Sequence, residues 1–239
     1  MNRAPEVAVL LAAGRGERLR PHTDRTPKPL LLIDGRPTLD YVLRAATGAG
    51  IRRACLVTHH LSEQIERYVG DGSAWGLQVV CCRQPRLDGT ASALQAAVRS
   101  FPEFFRSEAA FLLSATDYAL PPHYLADLVR AYATGSDEIT VSLKRVPADE
   151  RGRRSAVLLR PNGRIARIIE KPSPEVQAGP LGASLTFVLP GRILDYLPGM
   201  APSDRGEYEI QGVINRMLAD GFKAGGLLQE TPPEWRPES

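Results

Sequence analysis

The stretch LLAAGRGERLRPHTDRTPKPLL, residues 10–31, begins as an apolar run and ends as a loop crowded with glycine, arginine and proline. The apolar run covers 7–13 and reads as a strand buried on both faces. Gly14 and Gly16 follow at once. Glycines there permit positive φ and let backbone amides converge on an anion. Arg15, Arg18, Arg20 and Arg25 add charge, and Lys28 stands between Pro27 and Pro29, which stiffen its backbone. In an open α/β sheet, ligands bind beyond the carboxyl ends of the strands, which is where this loop emerges. The stretch predicts an α/β fold with an anion site at that edge.

The rest of the chain agrees with that reading. Apolar runs rich in β-branched residues recur at 54–58, 77–82, 110–115 and 139–146. Helical spacings lie between them: Leu39, Val42, Leu43 and Ala46 share one face, Leu61, Ile65 and Tyr68 another, Leu94, Ala97, Val98 and Phe101 a third, Leu125, Leu128, Val129 and Tyr132 a fourth. Strands alternating with helices imply a mainly parallel sheet flanked by helices. The second part differs. Residues 156–160, 164–169 and 183–189 read as strands with few helices between them, and RPNGR (160–164) is a hairpin turn. This predicts an antiparallel extension of the sheet. A final helix over 208–219 carries Ile210, Val213, Ile214, Met217 and Leu218 on one face, and Gly221 follows as its cap. The polar, Pro-rich segment ETPPEWRPES is expected to be loosely held. Together these predict one Rossmann-like α/β domain over 1–239, with halves at about 1–135 and 136–225 and a tail over 226–239.

Composition excludes several classes. Thirty Lys and Arg against 27 Asp and Glu leave a net charge of +3, too little for a nucleic-acid face. The run at 7–13 is too short for a signal peptide or a membrane span, so the expected location is cytoplasmic, with no membrane partner. Cys55, Cys81 and Cys82 lack ligand spacing and read as strand packing. His22, His59, His60 and His123 show no ligand spacing either, and no Ser/His/Asp or Cys/His arrangement calls for nucleophilic chemistry. The loop at 14–18 is neither of two familiar phosphate loops. Gly-x-x-x-x-Gly-Lys-Ser/Thr is absent, and the third glycine of a dinucleotide fingerprint is Leu19. A nicotinamide-dependent oxidoreductase is therefore disfavoured.

The whole string at 10–31 resembles the Gly-x-Gly-x-Arg-Leu-x-Pro-x-Thr…Pro-Lys-x-Leu signature of sugar-phosphate nucleotidyltransferases, the family of glucose-1-phosphate thymidylyltransferases and mannose-1-phosphate guanylyltransferases. The likeness continues through GDGSAWGLQV (70–79), QPRLDGTASAL (84–94), SATDYAL (114–120), IIEKP (168–172) and RGEYEIQGVINRMLADG (205–221). The resemblance implies transfer of a nucleoside monophosphate from a nucleoside triphosphate to a sugar 1-phosphate or related acceptor, with release of pyrophosphate. It also implies roles. The first half binds nucleotide, with Ala12, Ala13, Gly14, Arg15 and Gly16 cradling the triphosphate. Arg18 holds the leaving phosphates, and Lys28 meets the α-phosphate and the acceptor phosphate. Asp117 holds Mg²⁺. Gln84, Gly89 and Thr90 read the base. Glu170, Lys171 and Ser184 in the second half bind the acceptor. The implied partners are a nucleoside triphosphate and a phosphorylated small molecule; the base, the acceptor and any homo-oligomer stay open.

Four positions depart from the family pattern. Thr116 replaces a glycine ahead of Asp117, Gly212 stands where a second metal-binding aspartate aligns, and Ser155 and Leu185 replace glycines that give a sugar room. All four lie on the metal and acceptor side. Two readings follow: an enzyme for an unusual acceptor, or a subunit that binds nucleotide without turnover.

Overall fold

A computed structural model of the chain describes residues 2–106, 109–173, 176 and 179–237. The elements run β1 (Val7–Leu11), β2 (Leu32–Ile33), β3 (Arg36–Pro37), α1 (Thr38–Gly48), β4 (Arg53–Thr58), α2 (Ser62–Val69), β5 (Gln78–Arg83), α3 (Thr90–Ser100), β6 (Ala110–Ala115), α4 (Tyr124–Thr134), β7 (Ile139–Arg145), β8 (Ala156–Leu159), β9 (Ile165–Ile169), β10 (Leu181–Pro190), α5 (Ile210–Ala219) and β11 (Ala224–Leu228). Seven strands form one mixed sheet in the order β11-β7-β10-β6-β1-β4-β5. β1 runs parallel to β4 and β6, and β4 to β5. β10 is antiparallel to both β6 and β7, so β7 runs the same way as β6. The carboxyl ends of β1, β4, β5, β6 and β7 therefore share one edge.

Strand alternation divides the core into two layers. Val7 and Val9 point toward Leu94 of α3 and Val213 and Ile214 of α5. Ala8 and Leu10 point the other way, toward Leu39 and Val42 of α1 and Leu125 and Leu128 of α4. All of these are essentially inaccessible to water, and this burial on both faces is what makes the strands read as unbroken apolar runs. Cys82 falls in the first layer and Cys81 packs against the second, as neighbours on a strand must. Among the described residues no helix is long and apolar enough to cross a membrane.

Three features differ from the sequence expectation. β8 and β9 do pair as an antiparallel hairpin through the RPNGR turn, where the Arg160 amide donates to the Arg164 carbonyl at 2.8 Å. They form their own two-stranded sheet, however, and the antiparallel member of the main sheet is β10. Asn215 of α5 holds the hairpin, donating to the Ile168 carbonyl at 2.7 Å and accepting from its amide at 2.9 Å. Second, β11 has the sequence AGGLL, whose glycines hide a strand. Crowding explains them: a Cβ on Gly226 would lie 2.3 Å from Leu143 Cδ1, and one on Gly225 2.5 Å from Asp137 Oδ2.

Third, residues 231–235 of the segment expected to be loosely held are built into the fold, while 238 and 239 lie outside the described residues. The Gln229 amide donates to the Leu143 carbonyl and the Ala119 amide to the Pro233 carbonyl, both at 2.9 Å. Tyr118 and Glu234 form an antiparallel bridge, and Trp235 meets His22 edge-on at 5.0 Å between ring centroids. Proline and polar content forecast mobility, but proline costs little backbone entropy to fix, and its carbonyl still accepts.

Candidate active site

The loop after β1 opens on a cleft of about 1090 Å³ at the carboxyl edge of the sheet. Ala12 is still tied to β4, its amide donating to the Val57 carbonyl at 2.8 Å. The chain then turns through Gly14, Arg15 and Gly16, all facing the cleft. Gly16 takes φ +65°, and a Cβ there would lie 2.8 Å from Thr23 Cγ2. Thr23 closes the turn by donating its hydroxyl to the Gly16 carbonyl at 2.9 Å, and His60 in turn donates to the Thr23 carbonyl at 3.0 Å. The turn is thus shaped by protein contacts. Arg15 and Arg18 stay exposed beside it.

Lys28 begins a short 3-10 turn (Lys28–Leu30), and Asp117 follows the end of β6. The structure brings them together: Lys28 Nζ pairs with Asp117 Oδ2 in the cleft. Asp117 Oδ1 is buried and, among the described residues, has no hydrogen-bond partner. Thr116, in place of glycine, turns its hydroxyl to the Leu11 carbonyl at 2.8 Å, while its own carbonyl accepts from Thr38 at 2.9 Å. The Thr116 hydroxyl ties the end of β6 to β1 and its backbone carbonyl ties it to α1, with Asp117 next along the chain.

Gln84 is 3% exposed and lines the same cleft. Its Nε2 donates to Ser92 Oγ at 2.9 Å, to the Gly89 carbonyl at 3.1 Å and, at 3.4 Å, to Asp88 Oδ1. Gly89 adopts φ +128° against the backbone of Tyr208, whose oxygen a Cβ would meet at 2.3 Å. Its glycine is therefore explained by a close approach of the segment before α5. Thr90 makes the same junction, its hydroxyl accepting from the Ile210 amide at 2.9 Å.

The residues expected on the acceptor side do not line this cleft. Ser184 is buried and meets the Tyr124 hydroxyl at 3.4 Å, whereas its neighbour Leu185 faces the cleft. Glu170 accepts from Gln211 at 3.3 Å. Burial raises its pKa, opposed by Arg205, Lys171 and Lys144. Lys171 is exposed, at φ +46°. Ser155 both donates to the Ala183 carbonyl and accepts from its amide, each at 2.8 Å, so the hydroxyl fixes β8 to β10. Gly212 is exposed on α5 and lies outside the cleft lining.

Several cleft residues were given no site role in the sequence: His59, Arg154, Glu207, Glu234, Trp235 and Arg236. His59 holds the Gln84 backbone, its Nδ1 lying 2.7 Å from the Gln84 carbonyl. Glu234 is the informative one. It pairs with Arg154 at 3.5 Å. Burial pushes its carboxyl up, but the Tyr118 hydroxyl and the charges of Arg154, Lys28 and Lys144 outweigh this and hold it below the usual range. Burial and the charges of Asp117 and Glu234 push the Tyr118 phenol up. A carboxylate thus does join Asp117 at the cleft, but it comes from the tail and not from α5. No spacing links the two in sequence.

The nucleotidyl transferase family matches over residues 7–235. The chain is 29% identical over 216 residues to the low-salt glycan biosynthesis nucleotidyltransferase Agl11 of Haloferax volcanii, covering 90% of this chain and 57% of that protein. It is 30% identical over 224 residues to a glucose-1-phosphate thymidylyltransferase of Streptomyces antibioticus, covering 93% and 60%. The chain therefore spans less than two thirds of the length of these curated relatives. A crystal structure of UDP-glucose pyrophosphorylase complexed with UDP-glucose shares the fold, with a TM-score of 0.78 over 93% of this chain and 90% of that one at 19% identity.

Proposed function

The chain belongs to the nucleotidyl transferase family, and on that premise we propose that it transfers a nucleoside monophosphate from a nucleoside triphosphate to a sugar 1-phosphate or related phosphorylated acceptor, releasing pyrophosphate. The observation that carries this reading is the meeting of Lys28 and Asp117 in the cleft onto which the glycine-arginine turn opens. The acceptor's phosphate oxygen attacks the α-phosphorus in line, and the bond to the β-phosphate oxygen breaks. Both reactants are anions, so the protein's task is to bring them together and offset the charge that gathers at the α-phosphorus. Lys28 supplies an ammonium there. The turn amides and the Arg18 guanidinium hold the departing phosphates, the planar fork suiting phosphate oxygens.

The buried, unpartnered Oδ1 of Asp117 is an acceptor without a donor, which fits a cation. Asp117 would hold Mg²⁺, which needs few carboxylates beside substrate phosphates and water. When bound, the ion withdraws charge from the phosphates.

Gln84 supports a choice of base. The Gly89 carbonyl can only accept, so the Gln84 nitrogen must face it, leaving Oε1 as an acceptor. An acceptor suits the ring N–H of uracil, thymine or guanine. It opposes cytosine and adenine, whose corresponding nitrogens also accept. We infer that UTP, dTTP or GTP is the donor.

The test is pyrophosphate release from each nucleoside triphosphate with Mg²⁺ and a panel of sugar 1-phosphates. Release with one pairing, lost in Lys28→Ala, is the expected result. Nucleotide binding with no release under any pairing would overturn the reading and leave a nucleotide-binding subunit without turnover.

A further inference from the structure

A second cavity, of about 540 Å³, adjoins the cleft, and Arg154, Glu234 and Arg236 line both. Lys144, Arg145 and Glu150 also line it, so four cations face two carboxylates. Arg154 engages both carboxylates, Glu150 at 2.8 Å and Glu234 at 3.5 Å. Lys144 engages neither. It is 8% exposed, and among the described residues its ammonium has no hydrogen bond and no ion pair. Its contact is the Tyr118 ring, 5.8 Å from Nζ to centroid. Burial, and after it the charge of Arg154, push the Lys144 pKa down, against the pull of Glu234, Asp117 and Glu170. The cost of a lysine so largely buried, with its ammonium at the cavity and no counter-ion among the described residues, is offset by an anion supplied from outside.

Topology says which substrate would bring that anion. The base-reading loop follows β5, at one edge of the sheet, and Lys28 and Asp117 meet near the ends of the central strands β1 and β6. Lys144 lies at the carboxyl end of β7, beyond β6 and β10 on the side away from β5. A nucleotide reaching from Gln84 to Lys28 does not extend there. An acceptor with its phosphate by Lys28 has that cavity beside it, across the lining that Arg154, Glu234 and Arg236 share.

We propose that Lys144, Arg154 and Arg236 form a second anion subsite, and that the acceptor is a phosphorylated small molecule bearing a further anionic group, a carboxylate or a second phosphate, remote from the reacting phosphate. This rests on the transferase reading above. Arg154 is the fixed member, set by Glu150 and Glu234. Lys144 forms the floor, and Arg236, exposed on the tail, closes over the group from outside.

The experiment compares glucose 1-phosphate, glucuronate 1-phosphate and glucose 1,6-bisphosphate by kcat/KM for pyrophosphate release and by calorimetric binding. The expected result is a preference on the order of ten- to a hundredfold for a doubly anionic acceptor, the size of a charge-assisted contact. Glucuronate leading identifies a carboxylate; the bisphosphate leading identifies a phosphate. Lys144→Met and Arg236→Gln should each collapse that preference toward unity. Arg236 is exposed, so its replacement reads the subsite even if Lys144→Met misfolds. Equal use of glucose 1-phosphate, or a preference that survives Arg236→Gln and a folded Lys144→Met, overturns the inference and leaves the transferase reading intact. Absence of release with every acceptor defeats the transferase reading instead. Calorimetry still decides the subsite, which fails if the doubly anionic sugars bind no tighter than glucose 1-phosphate.

Discussion

Gly89→Ala should destabilise the protein and loosen nucleotide binding together, although the residue offers a ligand nothing but backbone. A Cβ at this position would stand 2.3 Å from the Tyr208 oxygen and 2.6 Å from its carbonyl carbon and nitrogen. Those atoms cannot step aside freely. The Tyr208 amide donates to the Asp88 carbonyl at 2.7 Å, and the Tyr208 carbonyl accepts from Ala91 at 2.8 Å. Relieving the clash gives up two hydrogen bonds, about 1 kcal/mol each. Holding alanine at φ +128° adds about 1–2 kcal/mol. The sum is about 3–4 kcal/mol, which for a chain of this length lowers Tm by about 6–16 °C. The same movement withdraws the Gly89 carbonyl from Gln84, so UTP affinity falls as well. Thermal unfolding followed by circular dichroism, with nucleotide titration on the folded variant, measures both. A Tm within about 2 °C of wild type would refute the close-approach argument, and with it the claim that Gly89 exists to admit Tyr208.

Gln84→Leu removes the donor to Asp88, Gly89 and Ser92; KM for the preferred triphosphate should rise about tenfold or more, and discrimination against CTP should fall. Asp117→Asn keeps the shape but removes the charge opposite Lys28. Pyrophosphate release at saturating nucleotide should drop on the order of 10²–10³-fold, while a residual rate equal to wild type would remove Asp117 from the chemistry. Glu234 has a folded pKa below its ordinary 4.5. It therefore contributes stability that is present above the unfolded value and lost as pH falls through the folded one. The Tm difference between wild type and Glu234→Gln should shrink between about pH 5 and pH 3; a difference that grows with acid would mean that the tail carboxylate is not held by Tyr118 and Arg154.

The cleft's glycine-arginine side was legible in the sequence because its residues are local. Gly14, Gly16, Arg18 and Lys28 lie within one stretch, and the strand ahead of them announces the sheet edge at which they emerge. Burial of β1, β4 and β6 on both faces turned strands into visible apolar runs. The acceptor side obeys other rules. β11 was hidden because its glycines make room for Leu143 and Asp137, a requirement set by a neighbouring strand. The segment 230–237 reads as polar and Pro-rich, and only its pairing with residues 118 and 119 shows that it is structural. Ser155 and Thr116 looked like losses of glycine. In the fold each hydroxyl is committed to a backbone partner on another strand, so the substitutions are compensated within the protein.

That compensation bears on what the departures mean. Had the acceptor half decayed, its polar side chains would have been left scattered and its charges unpaired. Instead Arg154 joins Glu150 to Glu234, Tyr118 and Glu234 bridge the end of β6 to the tail, and Trp235 seats the tail on His22 of the nucleotide side. Gly212 lacks a carboxylate, but it is exposed and outside the cleft lining, whereas Glu234 supplies a carboxylate inside it. The tail thus does two jobs that a family pattern centred on α5 would not reveal. It brings a carboxylate to the cleft that Asp117 also lines, and it walls the side of the cleft toward β7. Among the described residues Lys144 has no hydrogen bond and no ion pair, and with Arg145 and Arg236 it lines the cavity that the tail borders. Polar side chains that pair across the segment before β8, the tail and the end of β6, while cations stay open to the cleft and its side cavity, are organised for an anionic substrate, and this argues for turnover over a silent binding subunit.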